Sequence, residues 1–329
     1  MARHAGWAAR LLAGPRPRAN LAGAANRMCG IAGYFDKSGD AEAPVGATVL
    51  NMLRALGCRG PDSAGVALYQ VRSDGDLVLQ VKLGGNGRSR ERAEEIVGKV
   101  SVLSRARSVS TTGSYLRLTL EEPADPDALG ATIESVGPDV EVVSMGRRLE
   151  IVKQVGSPDR LEETFRISAV RGSHGIGHTR MSTESKVDLS HSQPFWAHGC
   201  PDLAIVHNGH ITNYHRLRRR YEQKGTRFYT ENDSEIIAVY LADEMRRRNS
   251  LEEALAAALV DLDGSFSCLV GTKDAMGYVK DPFAHKPLLV AETEQFAVAG
   301  TEEVAFRAAF DDSLEVREAG AREFRVWRN

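Results

Sequence analysis

The sequence predicts an α+β protein in which layered sheets are covered by helices. Strand-like segments open and close the chain, and amphipathic helices with clear start signals lie between them. No internal repeat or long low-complexity tract interrupts the 329 residues. The composition, 42% hydrophobic and 26% charged, excludes wholesale disorder and collagen-like repeats. No apolar stretch is long enough to span a bilayer as a helix, so the expectation is no membrane. A formal net charge of -2 gives no global attraction for nucleic acid.

Residues 29–36 (CGIAGYFD) read as a buried strand. Within 46–57, Val49, Met52, Leu53 and Leu56 share one helical face. Arg59-Gly60-Pro61-Asp62 is a turn, and 65–69 starts another strand. Residues 72–170 read as a small α+β insert with no chemical motif. Its helices are expected at 89–104 and 157–168, its strands at 114–121, 139–145 and 148–154. The stretch 174–213 reads as loop-rich, dense in His, Asn and Gly. Helices follow at 234–248, capped by Asp233 or Ser234, and at 251–261. Strands are expected at 265–271, 276–281, 287–292 and 295–299. The main domain is expected to run from 29 to 310, and 311–329 to be a C-terminal tail.

The start of the chain breaks the average. Residues 1–27 hold Arg3, Arg10, Arg16, Arg18 and Arg27 and no acid, and removing them takes the formal charge from -2 to -7. This stretch lacks the apolar core of a secretory signal. Residues 1–28 are expected to be a removable leader or a mis-set start. Cys29, Cys58, Cys200 and Cys268 form no CxxC pair. With no secretion signal they point to a cytoplasmic protein whose last three cysteines are small buried hydrophobes.

Chemistry gathers around Cys29. A thiol is a nucleophile as thiolate, and an α-amino group titrates near working pH. If Met28 is removed, one residue holds both nucleophile and general base. Partners follow in order. Arg180, in Gly177-His178-Thr179-Arg180, could clamp a carboxylate bidentately. Asn208 and Gly209, in His207-Asn208-Gly209-His210-Ile211-Thr212-Asn213, supply the donors an oxyanion hole needs. Asp233 offers a carboxylate at a helix start, suited to an ammonium group. Taken singly, each has an ordinary structural role: Arg180 as a surface ion pair, Asn208-Gly209 as a hairpin turn, Asp233 as an N-cap.

The order of motifs resembles the class II glutamine amidotransferase domain of the N-terminal nucleophile hydrolases. Cys29-Gly30-Ile31, Arg59-Gly60-Pro61-Asp62-Ser63-Ala64-Gly65, the Arg180 and Asn208 motifs, and Asp233-Ser234-Glu235 carry the resemblance. Lys280-Asp281-Pro282-Phe283 and Lys286-Pro287-Leu288 extend it. It covers roughly 29–70 and 171–305 and implies a four-layer αββα sandwich of two antiparallel sheets. It further implies Cys29 as nucleophile, Asn208 and Gly209 as oxyanion hole, and Arg59 as organiser of the nucleophile pocket. Arg180, Asp233 and Thr183 would bind glutamine. Two positions depart from the family pattern: Met181 replaces an aromatic residue of some members, and Ala284 replaces a Gly.

No acceptor-domain motif follows, so the resemblance implies a glutaminase subunit that hands ammonia to a separate synthase in a hetero-oligomer. Such chains resemble the amidotransferase subunits of glutamate synthase-like complexes, including N-methylglutamate synthases. There the partner carries FMN and an iron-sulfur cluster, and this chain needs no cofactor or metal. Two rivals remain at this point. Seven histidines between 174 and 215 allow a metal-dependent amidohydrolase. A non-catalytic regulatory subunit on the same fold is the other, and the run Arg216, Arg218, Arg219, Arg220 could mark its docking surface.

Overall fold

β1 (Gly30–Asp36) is buried along its whole length and sets the architecture. Its side chains alternate: Ile31 and Phe35 enter one apolar cluster, Ala32 and Tyr34 another. A strand buried on both faces needs a layer on each side, and the computed structural model supplies both. It describes residues 29–72, 76–85, 87–121, 125–181 and 188–328; the expected leader at 1–28 lies outside them.

β1 is central in a seven-stranded antiparallel sheet. Its neighbours are β14 (Phe296–Gly300) and β8 (His174–Arg180). Beyond β8 lie β2 (Ser63–Tyr69) and β7 (Leu149–Val155); beyond β14 lie β13 (Leu289–Glu292) and β15 (Arg317–Glu318). A five-stranded antiparallel sheet runs β16 (Phe324–Arg328), β12 (Ala275–Lys280), β11 (Gly264–Gly271), β10 (Ala204–Ile211), β9 (Phe195–Trp196).

Three apolar clusters lie between four layers. Ile31, Phe35 and Ile176 meet Val206, Leu269 and Met276 between the sheets. Outside the larger sheet, α1 (Val45–Ala55), α4 (Pro158–Phe165) and α8 (Glu303–Arg307) pack on Ala32, Val66 and Val298. Outside the smaller sheet, α5 (Tyr214–Gln223), α6 (Asp233–Arg248) and α7 (Leu251–Asp261) pack on Ile205, Phe266 and Val279. This is the expected αββα sandwich.

The insert forms its own four-stranded sheet, ordered β4 (Ala106–Thr112), β5 (Tyr115–Glu121), β3 (Asp76–Lys82), β6 (Glu141–Gly146). Helices α2 (Ser89–Val100) and α3 (Pro126–Glu134) belong to it. β7 falls inside the 72–170 range but pairs with β2 in the large sheet, so the separate sheet ends at Gly146.

Several expectations need correcting. The stretch 174–213 carries loops, as expected, but also two interior strands, β8 and β10. The glycines that suggested a loop are there for close packing: a Cβ at Gly177 would stand 2.8 Å from Leu53 of α1. The expected C-terminal tail contributes strands, β15 to the larger sheet and β16 as the edge of the smaller one. The N-cap of α6 is Asn232, which accepts from the Ser234 N–H, and Asp233 is the first helical residue. Cys268 is buried, but Cys200 is half-buried and Cys58 exposed. Among the described residues, no helix is long and apolar enough to cross a membrane.

Candidate active site

Three strands deliver the site. Cys29 immediately precedes β1, Arg180 ends β8, and Asn208 and Gly209 lie within β10. Asp233 opens α6, and Arg59 sits in the turn before β2. The structure brings all six to one cavity of about 450 Å³, which Tyr214, Lys286 and Thr301 also line. Thr183, the remaining expected glutamine ligand, lies outside the described residues.

The Cys29 thiol faces the start of the segment after β8. Met181 N–H donates to Sγ at 3.4 Å, and Sγ lies 3.7 Å from the Met181 carbonyl oxygen. Burial pushes the thiol above its ordinary range; the Met181 N–H and the charges of Arg180 and Arg59 pull the other way. Asn208 Nδ2 donates to the Cys29 carbonyl oxygen at 2.9 Å and to Thr301 Oγ1 at 3.3 Å. Its carboxamide oxygen is buried without a full hydrogen bond among the described residues. That oxygen is within electrostatic reach of His178, another buried side chain.

Gly209 has φ +139°, and a Cβ there would meet the Ser265 carbonyl oxygen at 2.1 Å. Only glycine fits. Asn208-Gly209 is therefore an interior stretch of β10, not a hairpin turn. Arg180 is 6% exposed, so it is not a surface ion-pair residue. Asp233 Oδ2 accepts from the Ile211 N–H at 2.9 Å, and His210 Nδ1 lies 3.4 Å from it. Arg59 is buried and ion-paired with Glu302.

Residues the motif analysis did not single out complete the site. Thr301 Oγ1 accepts from the Ile31 N–H at 2.8 Å as well as meeting Asn208. Gln193 clamps the His207 backbone, accepting from its N–H at 2.6 Å and donating to its oxygen at 2.8 Å. Neither residue sits in a recognisable motif; Gln193 lies just before β9 and Thr301 just after β14, where the sheet packing carries them to the site.

Of the seven histidines, His178, His207 and His210 line the site cavity, and the others lie elsewhere. His174 stacks on Tyr69 with centroids 4.0 Å apart, His198 stacks on Tyr229 at 3.9 Å, and His191 pairs with Asp188. His207 Nδ1 lies 3.0 Å from Ser234 Oγ. Among the described residues, no group of three or more His, Cys, Asp and Glu side chains is arranged to hold a metal ion.

Residues 178–308 match the glutamine amidotransferase domain. The fold resembles the glutamine phosphoribosylpyrophosphate amidotransferase of B. subtilis, with a TM-score of 0.56 at 20% identity, over 92% of this chain and 47% of that one. Over 306 residues the chain is 38% identical to a candidate glutamine amidotransferase of Methanothermobacter thermautotrophicus, covering 91% of this chain and 99% of that protein. The chain belongs to the class II glutamine amidotransferases. This amidotransferase is also 37% identical over 275 residues to the glutamine amidotransferase-like protein GlxB of Rhizobium meliloti, covering 84% of the chain and 89% of that relative.

Proposed function

We propose that this amidotransferase is a glutaminase subunit in which Cys29, freed at the N-terminus, hydrolyses the side-chain amide of glutamine. The observation that carries the reading is the meeting of Cys29 and Asn208 in the cavity that Arg180 and Asp233 also line. Arg180 holds the substrate α-carboxylate and Asp233 its α-ammonium group, which aims the amide at Sγ. The thiol proton passes to the Cys29 α-amine as sulfur attacks the amide carbon. Asn208 Nδ2 and the Gly209 N–H stabilise the resulting oxyanion. The amine returns the proton to the departing nitrogen, which leaves as ammonia. A γ-glutamyl thioester remains on Cys29. Water then attacks the thioester, giving glutamate and restoring the thiol. Arg59, held by Glu302, places a positive charge beside the sulfur and favours its thiolate form.

The ammonia goes to a separate synthase subunit, of glutamate synthase-like or N-methylglutamate synthase-like type, which carries FMN and an iron-sulfur cluster. An alignment spanning 99% of the Methanothermobacter relative supports a separate partner, because it leaves that protein no room for an added synthase domain.

The test combines sequencing and activity. Active enzyme from native cells is expected to begin at Cys29, and Cys29→Ala to lose glutamine hydrolysis while keeping its fold. Active enzyme that retains residues ahead of Cys29 would overturn the amine as base. Undiminished hydrolysis by Cys29→Ala would overturn the nucleophile.

A further inference from the structure

A second cavity, of about 440 Å³, lies between the insert sheet and the large sheet, away from Cys29. One wall is apolar, with Val152, Phe165 and Ile167. The other is polar, with Gln70, Gln80, Arg117 and Glu150. The walls come from different parts of the fold: Gln80 and Arg117 from β3 and β5 of the insert, Glu150 and Val152 from β7 of the sandwich.

The polar wall holds more donors than acceptors. Glu150 Oε1 accepts from Gln70 Nε2 at 2.9 Å, from Arg117 Nη2 at 3.0 Å, and from Arg72 Nη2. Its Oε2 accepts from Gln80 Nε2 at 2.8 Å and Arg117 Nε at 2.7 Å. Those five donors fall on one carboxylate, which offers about four lone-pair sites. The charged side chains lining the cavity are Arg117 and Arg166 against one carboxylate, Glu150, so positive charge is in surplus there. Arg72 Nη1 is buried with no acceptor among the described residues. Burial, and then the charge of Arg117, pull Arg72 down to about 10, while Asp202 and Asp76 pull the other way. Facing this donor-rich network are Val152, Phe165, Ile167 and Val170, with Thr164 and Arg166 beside them.

We propose that this cavity binds a small organic carboxylate. Its carboxylate takes the spare donors of Arg117, and its carbon chain lies against Val152, Phe165 and Ile167. Because the lining draws on both the insert sheet and the large sheet, the ligand ties the insert to the sandwich. Inorganic phosphate shares the anion chemistry but leaves the apolar wall unused.

The test uses the full chain in chloride buffer, with thermal unfolding and calorimetric titration against butyrate, acetate and inorganic phosphate. Butyrate is expected to raise Tm saturably and to bind at least about tenfold more tightly than acetate or phosphate. Arg117→Met should remove the shift and leave glutamine hydrolysis unchanged. Since Arg117 also supports Glu150, Val170→Phe provides a second variant. It fills the cavity from the apolar side without touching the polar network, and should weaken butyrate binding about tenfold. Three results would overturn the proposal: no saturable response to butyrate, phosphate binding as tightly as butyrate, or binding that survives Val170→Phe. The last would place the carboxylate at Arg180 instead.

Discussion

Asn208 ties the two sheets together at the point where chemistry is proposed. It projects from β10 of the smaller sheet, and its Nδ2 reaches the Cys29 carbonyl oxygen beside β1 of the larger one. Thr301, just beyond β14, braces the same nitrogen. On the proposed mechanism that nitrogen works chiefly in the transition state. Asn208→Ala is therefore expected to lower kcat by about 100- to 1,000-fold with KM little changed. Steady-state glutaminase kinetics check this; a raised KM at unchanged kcat would make Asn208 a simple binding residue. Cys29, Arg180, Asn208, Gly209 and Asp233 were legible because each sits in a short ordered motif. Thr301 and Glu302 were not. A lone hydroxyl and a lone carboxylate carry no spacing signal, and only the β1–β14 pairing brings them to the site from about 270 residues away.

At the scale of elements, the turn after β12 shows how a departure from the family pattern is absorbed. Ala284 adopts φ +53°, the left-handed conformation a glycine would take freely. The Asp281 carboxylate holds the turn, accepting from the N–H groups of Phe283 at 2.7 Å and Ala284 at 3.1 Å. The turn therefore accommodates alanine in place of glycine through strain at one residue. Ala284→Gly is expected to raise stability by about 1 kcal/mol, the left-handed penalty less glycine's extra chain entropy. Urea unfolding at constant m checks this, and a lower midpoint would show that the turn is not strained. The same scale explains the misread β8. Alternating His and Gly matches no apolar strand pattern, yet the glycines seat α1 and the histidines face the inner core.

Across the whole molecule, the three clusters seal polar groups that composition alone would leave at the surface. His174 and His178 are buried in the inner layer, and burial lowers each to about 3. His174 stays neutral between Ser173 Oγ and the Thr272 carbonyl oxygen, each 2.8 Å away. The folded-state values lie below the unfolded value near 6.5, so the unfolded chain binds more protons between those limits. Stability is therefore full above about pH 6.5 and falls as pH drops toward 3. Each histidine contributes about 1.4 kcal/mol per pH unit within that window. Urea midpoints from pH 7 to pH 5 are expected to fall, with His174→Gln reducing the slope by about one proton. A flat profile would show that both rings accept protons in the fold.

The sequence by itself determined the α+β class and the family, and it supplied the candidate nucleophile and the order of its candidate partners, because those rest on local motifs and periodicity. It also marked the insert as a unit, though not where its sheet stops. The tertiary structure decided which face each strand turns inward and that the last residues close a sheet. It also decided that the histidines form no metal-holding group among the described residues, and that a donor-rich cavity opens behind the insert. Strand register and layer packing join residues far apart in the chain, and no local pattern records which neighbour a buried side chain will meet.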